Sequence, residues 1–206
     1  SSFKKGGIYI LSSPSGAGKT TLVKKITKNK NFSVSISHTT RPPRQKERNG
    51  KDYYFTSKNH FKKLIKKKEF LEHAKVFDHY YGSSKDLVLD KLNKGKNVVF
   101  DIDWQGTRQI RNKKLDYKLL TIFILPPSKT ELFKRLVKRE RKNMKTVKKR
   151  MKGFKKDLSR WKEYDQVVIN DNLKKCYNKI MTLIKNKNKT ELNKYVINQH
   201  IKKLLI

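Results

Sequence analysis

Gly7-Ile8-Tyr9-Ile10-Leu11 leads through Ser12 into Ser13-Pro14-Ser15-Gly16-Ala17-Gly18-Lys19-Thr20, and this stretch decides the fold. The apolar run reads as a buried strand, the residues after it as a glycine-rich loop, and Thr21-Leu22-Val23-Lys24-Lys25-Ile26 as the helix that follows. Glycines let backbone N–H groups turn inward around a phosphate, and a helix N-terminus adds partial positive charge. Lys19 is placed to reach β- and γ-phosphate oxygens, and the Thr20 hydroxyl to complete a Mg2+ shell. Ser13 stands where the usual G-x-x-x-x-G-K-[ST] pattern has its first glycine. The strand before the loop and the helix after it still point to a bound nucleoside triphosphate.

Working outward, strand and helix signals alternate along the 206 residues, as expected for a parallel sheet flanked by helices. Core strands are predicted at 7–12, 32–37, 97–101, 119–125 and 166–170. Helices are predicted near 19–28, 84–94, 128–138, 146–162 and 172–185, with Ser84 as an N-cap and Gly95 as a C-terminal stop. Between Thr39 and Ser83 the pattern changes. Arg41-Pro42-Pro43-Arg44 continues neither a helix nor a central strand. A strand at 52–55, a helix at 57–67 and extended pieces at 70–76 and 79–81 follow, which reads as a small α+β insertion. Past residue 185 the chain is rich in Lys and Asn. Leu192, Val196, His200 and Leu204 are spaced as one face of a helix, though fraying is an equal expectation.

Composition sets bounds. The length suits one domain with a real core, and no apolar run approaches the ~20 residues that cross a bilayer. No membrane association is expected, and the absence of a signal-peptide pattern makes a cytoplasmic location the expectation. A lone cysteine, Cys176, excludes an internal disulfide. The formal net charge of +36 suggests a phosphate backbone as partner. Yet only 10 of the 53 basic residues are Arg, and the lysines are spread evenly among many Asn and Ile residues. That pattern fits a composition bias better than a nucleic-acid face, so no specific nucleic-acid partner is expected. A homo-oligomer stays open.

Several groups of residues carry chemistry. Arg41 and Arg44 bracket a double proline, where guanidinium groups on a stiff loop suit bidentate phosphate binding; two solvated arginines are the plain alternative. Tyr53 and Tyr81 offer hydroxyls to the same oxygens. Glu72 lies in Phe70-Leu71-Glu72-His73-Ala74, where alternation puts it with Phe70 and Ala74 on a partly buried face. A buried carboxylate needs donors, and a guanine edge has two in parallel, N1–H and the 2-amino group; a lysine salt bridge would also serve. Val98-Val99-Phe100-Asp101-Ile102-Asp103 ends a strand on two carboxylates, at the strand end where open α/β sheets bind ligands. Contacts to a substrate or to Mg2+-bound water, or for Asp103 a helix cap, are the readings. Segment 128–162 carries 16 basic and 3 acidic residues, with Arg135, Arg139 and Arg150 recurring. An arm bringing arginines to a phosphoryl group and a nucleic-acid-binding helix both account for it.

Taken together, the loop, Ser37-His38-Thr39-Thr40-Arg41-Pro42-Pro43-Arg44, Asn49-Gly50-Lys51-Asp52-Tyr53, Phe70-Leu71-Glu72-His73-Ala74, Tyr80-Tyr81-Gly82-Ser83, Asp101-Ile102-Asp103-Trp104-Gln105-Gly106, Ile124-Leu125-Pro126-Pro127-Ser128 and Val168-Ile169-Asn170-Asp171 resemble the guanylate kinases. The resemblance implies an α/β P-loop nucleoside monophosphate kinase fold in a single domain over 1–206. Its parts are a core at 1–37 and 84–206, a GMP-binding insertion at 38–83 and a helical lid at about 138–150. It implies transfer of the γ-phosphoryl group of ATP to GMP, with Mg2+. It assigns GMP binding to Ser37, Arg41, Arg44, Tyr53, Glu72, Tyr81, Ser83 and Asp101. ATP binding goes to Ser13, Pro14, Ser15, Gly16, Ala17, Gly18, Lys19, Thr20, Thr21 and Asn170, and the metal to Thr20. Lys19, Arg41, Arg135, Arg139 and Arg150 match catalytic positions. One departure is the lid run Lys138-Arg139-Glu140-Arg141-Lys142-Asn143-Met144-Lys145, where the family usually carries glycines around the second arginine, followed by acids.

Overall fold

The computed structural model describes residues 4–186 and 191–206. In chain order the elements are β1 (Ile8–Ser12), α1 (Lys19–Ile26), β2 (Phe32–Val34), β3 (His38–Thr39), β4 (Tyr54–Phe55), α2 (Lys58–Lys66), β5 (Phe70–Val76), β6 (His79–Ser84), α3 (Lys85–Asn93), β7 (Asn97–Asp101) and α4 (Trp104–Asn112). They continue with β8 (Leu119–Leu125), α5 (Lys129–Arg139), α6 (Met144–Leu158), a 3-10 turn (Ser159–Glu163), β9 (Gln166–Ile169), α7 (Leu173–Lys185) and α8 (Lys194–Leu205). β2 pairs with β7 and β8 with β9, both in parallel, and β3 to β6 form a separate sheet in the order β4-β3-β6-β5. The architecture is α/β, with a parallel sheet core flanked by helices. The chain divides into two compact units, one of residues 4–8 with Lys30–Leu119, the other of Tyr9–Asn29 with Leu120–Ile206.

In the first unit β2 runs parallel to β7, with Phe32 opposite Asn97 and Val34 opposite Val99. Val98, Val99 and Phe100 are fully buried, and α3 supplies Val88 and Leu92 to the same core. Strands β5 and β6 form an antiparallel hairpin whose turn residues, Phe77 and Asp78, both have positive φ (47° and 70°). That backbone matches the right-handed strand twist. A register shift between Phe70 and Glu72 interrupts the alternation, so Phe70, Leu71 and Glu72 are all buried rather than every second residue.

In the second unit β8 pairs in parallel with β9. Thr121 and Asp165 extend that pairing reciprocally: each backbone N–H is accepted by the other's side-chain oxygen, both at 2.9 Å. The core here gathers Phe123 and Leu125 of β8, Leu132 and Leu136 of α5, Phe154 and Leu158 of α6, and Ile197, Ile201 and Leu204 of α8.

Three sequence expectations are corrected. The helix expected at 146–162 is α6 followed by a 3-10 turn that buries Trp161. In α8 the buried face is Ile197, Ile201 and Leu204; Val196 is 52% exposed, and His200 Nε2 lies 2.9 Å from the Pro126 carbonyl. Leu204 and the partly buried Leu192 of the expected face do meet the core, while Ile197 and Ile201 take the places expected of Val196 and His200. Sequence reading gives helix α4 only as the helix that an Asp103 cap would start and assigns it no range: its first turn, Trp104-Gln105-Gly106-Thr107, has no apolar stripe, and only Ile110 is a buried large hydrophobe.

Candidate nucleotide sites

The phosphate loop lies in the second unit, where β1 ends and α1 begins. Gly18 is the N-cap of α1 in the left-handed conformation (φ 88°, ψ 14°) and offers no capping side chain; no acid occupies the helix's first turn. A residue with a β-carbon is strained there, and its methyl would also collide with Asn170 Nδ2. Asn170 is buried beside the loop and donates to the Ala17 carbonyl at 2.8 Å. Its amide therefore shapes the loop backbone. Pro14 and Ala17 are buried, Ser13, Ser15, Gly16 and Lys19 half-buried, and Thr20 and Thr21 exposed at the start of α1.

Helix α5 lies against this loop: a β-carbon at Gly16 would stand 3.2 Å from Leu132 and Leu136 side-chain carbons, and one at Gly18 would stand 3.8 Å from Arg135 Nη1. Arg135 Nε is 3.3 Å from Glu131 Oε1, while its buried Nη1 has no hydrogen-bond partner among the described residues. A buried guanidinium nitrogen beside a glycine-rich loop fits an anionic ligand. From α6, Arg150 Nη1 lies 3.1 Å from the Ser15 hydroxyl, and its Nε pairs with Glu140 at 2.9 Å. The structure thus joins Arg135 and Arg150 to the loop and leaves Arg139 exposed at the end of α5.

A second cluster lies in the first unit. Glu72 and Ser83 are opposite each other across β5 and β6, and the Ser83 hydroxyl donates to Glu72 Oε1 at 2.6 Å. Glu72 is only 2% exposed. Burial pushes its carboxyl up to about 7, against the Ser83 hydrogen bond and with a smaller push from Asp103. Arg41 is buried and its guanidinium lies 5.2 Å over the Tyr53 ring, which meets Tyr81 edge-on at 6.0 Å. Burial raises the Tyr53 phenol to about 12, with Asp101 adding to the rise. Arg41, Tyr53, Tyr81 and Asp101 therefore share one neighbourhood. Ser37 is buried and its carbonyl accepts from Tyr54 N at 2.9 Å; Arg44 is half-buried.

Sequence reading missed Glu47. Its carboxylate accepts from Arg41 Nη1 at 2.8 Å, Arg41 Nη2 at 2.9 Å and Arg44 N at 2.6 Å. Burial alone would lower the Arg41 pKa; the Glu47 hydrogen bonds and Tyr81 outweigh it and hold the group above its ordinary value. The available signal was a lone acid three residues past Arg44. For Asp103 the helix cap is the reading that holds: it accepts from Gln105 N at 3.0 Å and Gly106 N at 3.3 Å.

A family model described as guanylate kinase matches residues 5–187. The chain belongs to the guanylate kinase family. The guanylate kinase of Haemophilus ducreyi is 46% identical over 182 residues, which cover 87% of each chain. That of Wigglesworthia glossinidia brevipalpis is 43% identical over 206 residues, covering 98% of this chain and 99% of the relative. The crystal structure of guanylate kinase from Anaplasma phagocytophilum matches with a TM-score of 0.71 at 32% identity, over 88% of this chain and 85% of that one. Guanylate kinase membership gives the chain the P-loop nucleoside monophosphate kinase fold. Among the described residues no helix is long and apolar enough to cross a membrane.

Proposed function

We propose that this chain transfers the γ-phosphoryl group of ATP to GMP, giving ADP and GDP. The observation that carries the reading is the buried Glu72 carboxylate on its Ser83 hydroxyl. Guanine offers two parallel donors, N1–H and the 2-amino group, to such a carboxylate. Adenine lacks the N1–H, so binding AMP would leave buried polar groups unpaired, at about 1–3 kcal/mol for each neutral group and more for a charged one. In this reading Arg41, Arg44, Tyr53 and Tyr81 hold the GMP phosphate, and Ser37 and Asp101 complete the base contacts. The insertion is 38–83, the lid about 138–150, and the remainder core.

The GMP phosphate, with a second pKa of about 6, is mostly dianionic at neutral pH and needs no general base. The protein's work is electrostatic. Lys19 and the backbone N–H groups of 15–20 hold the triphosphate, with Ser13 and Pro14 shaping the entry to the loop, and Arg135 and Arg150 offset charge on the transferring group. Arg139 joins them from the end of α5. The donor set at α1 fits Mg2+: one hydroxyl, Thr20, with no cluster of three or more His, Cys, Asp or Glu among the described residues. Mg2+ keeps water and takes phosphate oxygens beside one or two protein ligands. When bound, it would neutralise charge on the β- and γ-phosphates. A lone buried Cys176, with no disulfide partner in the sequence, suits a reducing compartment and so a cytoplasmic site of action.

The test is Glu72→Gln. It is expected to raise the KM for GMP at least tenfold, while the KM for ATP stays within about twofold. Equal loss on both substrates contradicts the assignment.

A further inference from the structure

Beside Glu72 lies a residue whose missing side chain is what matters. Gly106 sits in the first turn of α4, and a β-carbon built on it would overlap Glu72 Oε2, with Glu72 Cδ at 2.9 Å and Ile102 Cδ1 at 3.1 Å. Its φ is not left-handed, so backbone conformation does not call for glycine there. Glycine is a poorer helix former than alanine, so helix propensity does not account for it either.

The helix backbone at Gly106 cannot withdraw. Helix α4 is pinned to the β5 backbone: Gln109 Nε2 donates to the His73 carbonyl at 2.7 Å, and His73 N donates to Gln109 Oε1 at 3.0 Å. Gln105 Nε2 adds a bond to the Lys75 carbonyl at 3.2 Å. Asp103 fixes the start of the helix through Gln105 N and Gly106 N. Glu72, for its part, is tied through its other oxygen to Ser83 at 2.6 Å. A methyl at 106 would therefore be accommodated by the carboxylate itself, the movable end of a flexible chain.

We propose that Gly106, with Gln109 setting the spacing of α4 from β5, is a specificity-determining positioning residue: the bare α-carbon is the wall against which the Glu72 carboxylate is set. This rests on Glu72 being the guanine contact. Gly106 touches no substrate in this account and acts only through Glu72.

The experiment measures steady-state kinetics and thermal melting of Gly106→Ala, with Glu72→Gln in parallel. Gly106→Ala is expected to raise the KM for GMP about tenfold and to lower selectivity for GMP over AMP, with the KM for ATP unchanged and cooperative melting retained. A KM for GMP within twofold of the parent, or a matching rise in the KM for ATP, overturns the proposal. If Glu72→Gln itself leaves the KM for GMP unchanged, the guanine reading of Glu72 fails. If Glu72→Gln raises that KM while Gly106→Ala does not, only the role of Gly106 fails. Should Gly106→Ala not melt cooperatively, Gln109→Ala carries the test: loosening the clamp is expected to raise the KM for GMP at least threefold with ATP unaffected, and an unchanged value overturns the proposal.

Discussion

Glu47 meets Arg41 with both carboxylate oxygens, at 2.8 and 2.9 Å, in the same fork geometry that a phosphate would take. Only 9% of the Arg41 side chain is exposed, so the pair sits largely out of water. A guanidinium in that setting is oriented before any ligand arrives.

Glu47→Ala removes that orientation. The KM for GMP is expected to rise roughly tenfold, equivalent to ~1.4 kcal/mol, with the KM for ATP unaffected. A fall in the KM for GMP would mean instead that Glu47 competes with the phosphate for Arg41.

Glu72 makes GMP binding pH-dependent. Its carboxyl is raised from 4.5 to about 7, and the ionised form is the better acceptor for guanine. The KM for GMP should therefore fall as pH rises from 6 to 8, and Glu72→Gln should leave only the shallower dependence that comes from the GMP phosphate, with its second pKa of about 6. Stability runs the other way. The folded state holds the proton more tightly, so the contribution from this site is fully present below 4.5 and is lost as pH rises through about 7. The full shift corresponds to about 3 kcal/mol, and Glu72→Gln should melt higher than the parent at pH 8 and lose that advantage near pH 5.

Asn170→Ala leaves the Ala17 carbonyl without its buried donor, a cost of about 1–3 kcal/mol that falls on the phosphate loop. The expected result is a higher Kd for ATP with the Kd for GMP intact, read by calorimetry with each nucleotide alone. Unchanged ATP affinity would make Asn170 dispensable to the loop.

The end of α5 carries an unusual residue. Arg141 N donates toward the Lys138 carbonyl at 3.4 Å and Lys142 N to the Val137 carbonyl at 2.9 Å, the Schellman pattern, with Arg141 at φ 51° where glycine is preferred. Arg141→Gly is expected to stabilise the protein by about 1 kcal/mol, or roughly 2–4 °C in melting temperature. A lower melting temperature would show that the Arg141 side chain contributes more than its backbone strain removes.

That turn also shows what could be read from the residues alone. At α3 the same left-handed stop is filled by Gly95, and the helix end was predicted correctly. After α2 and α4 the left-handed positions hold Lys68 and Lys114, which carry no turn signature, as Arg141 carries none. The strands at 97–101 and 119–125 were legible because buried parallel strands are continuous apolar runs. Helix α4 was legible only through its Asp103 cap, and its extent was not, because it is held by polar clamps, Gln105 and Gln109, rather than by an apolar stripe. Of the candidate residues, Glu72 and Ser83 were chosen by chemistry and resemblance, and their pairing is set by register. Glu47 and Gly106 escaped notice because one is a counter-ion and the other acts by having no side chain.

The measurement closest to the central claim is ADP release, coupled to a spectrophotometric readout, with ATP and Mg2+ and each of GMP, AMP, CMP, UMP and dTMP as acceptor. Turnover confined to GMP is the predicted result. Comparable turnover with AMP or a pyrimidine nucleotide, or none with GMP, would contradict the account of Glu72 as the residue that reads the base.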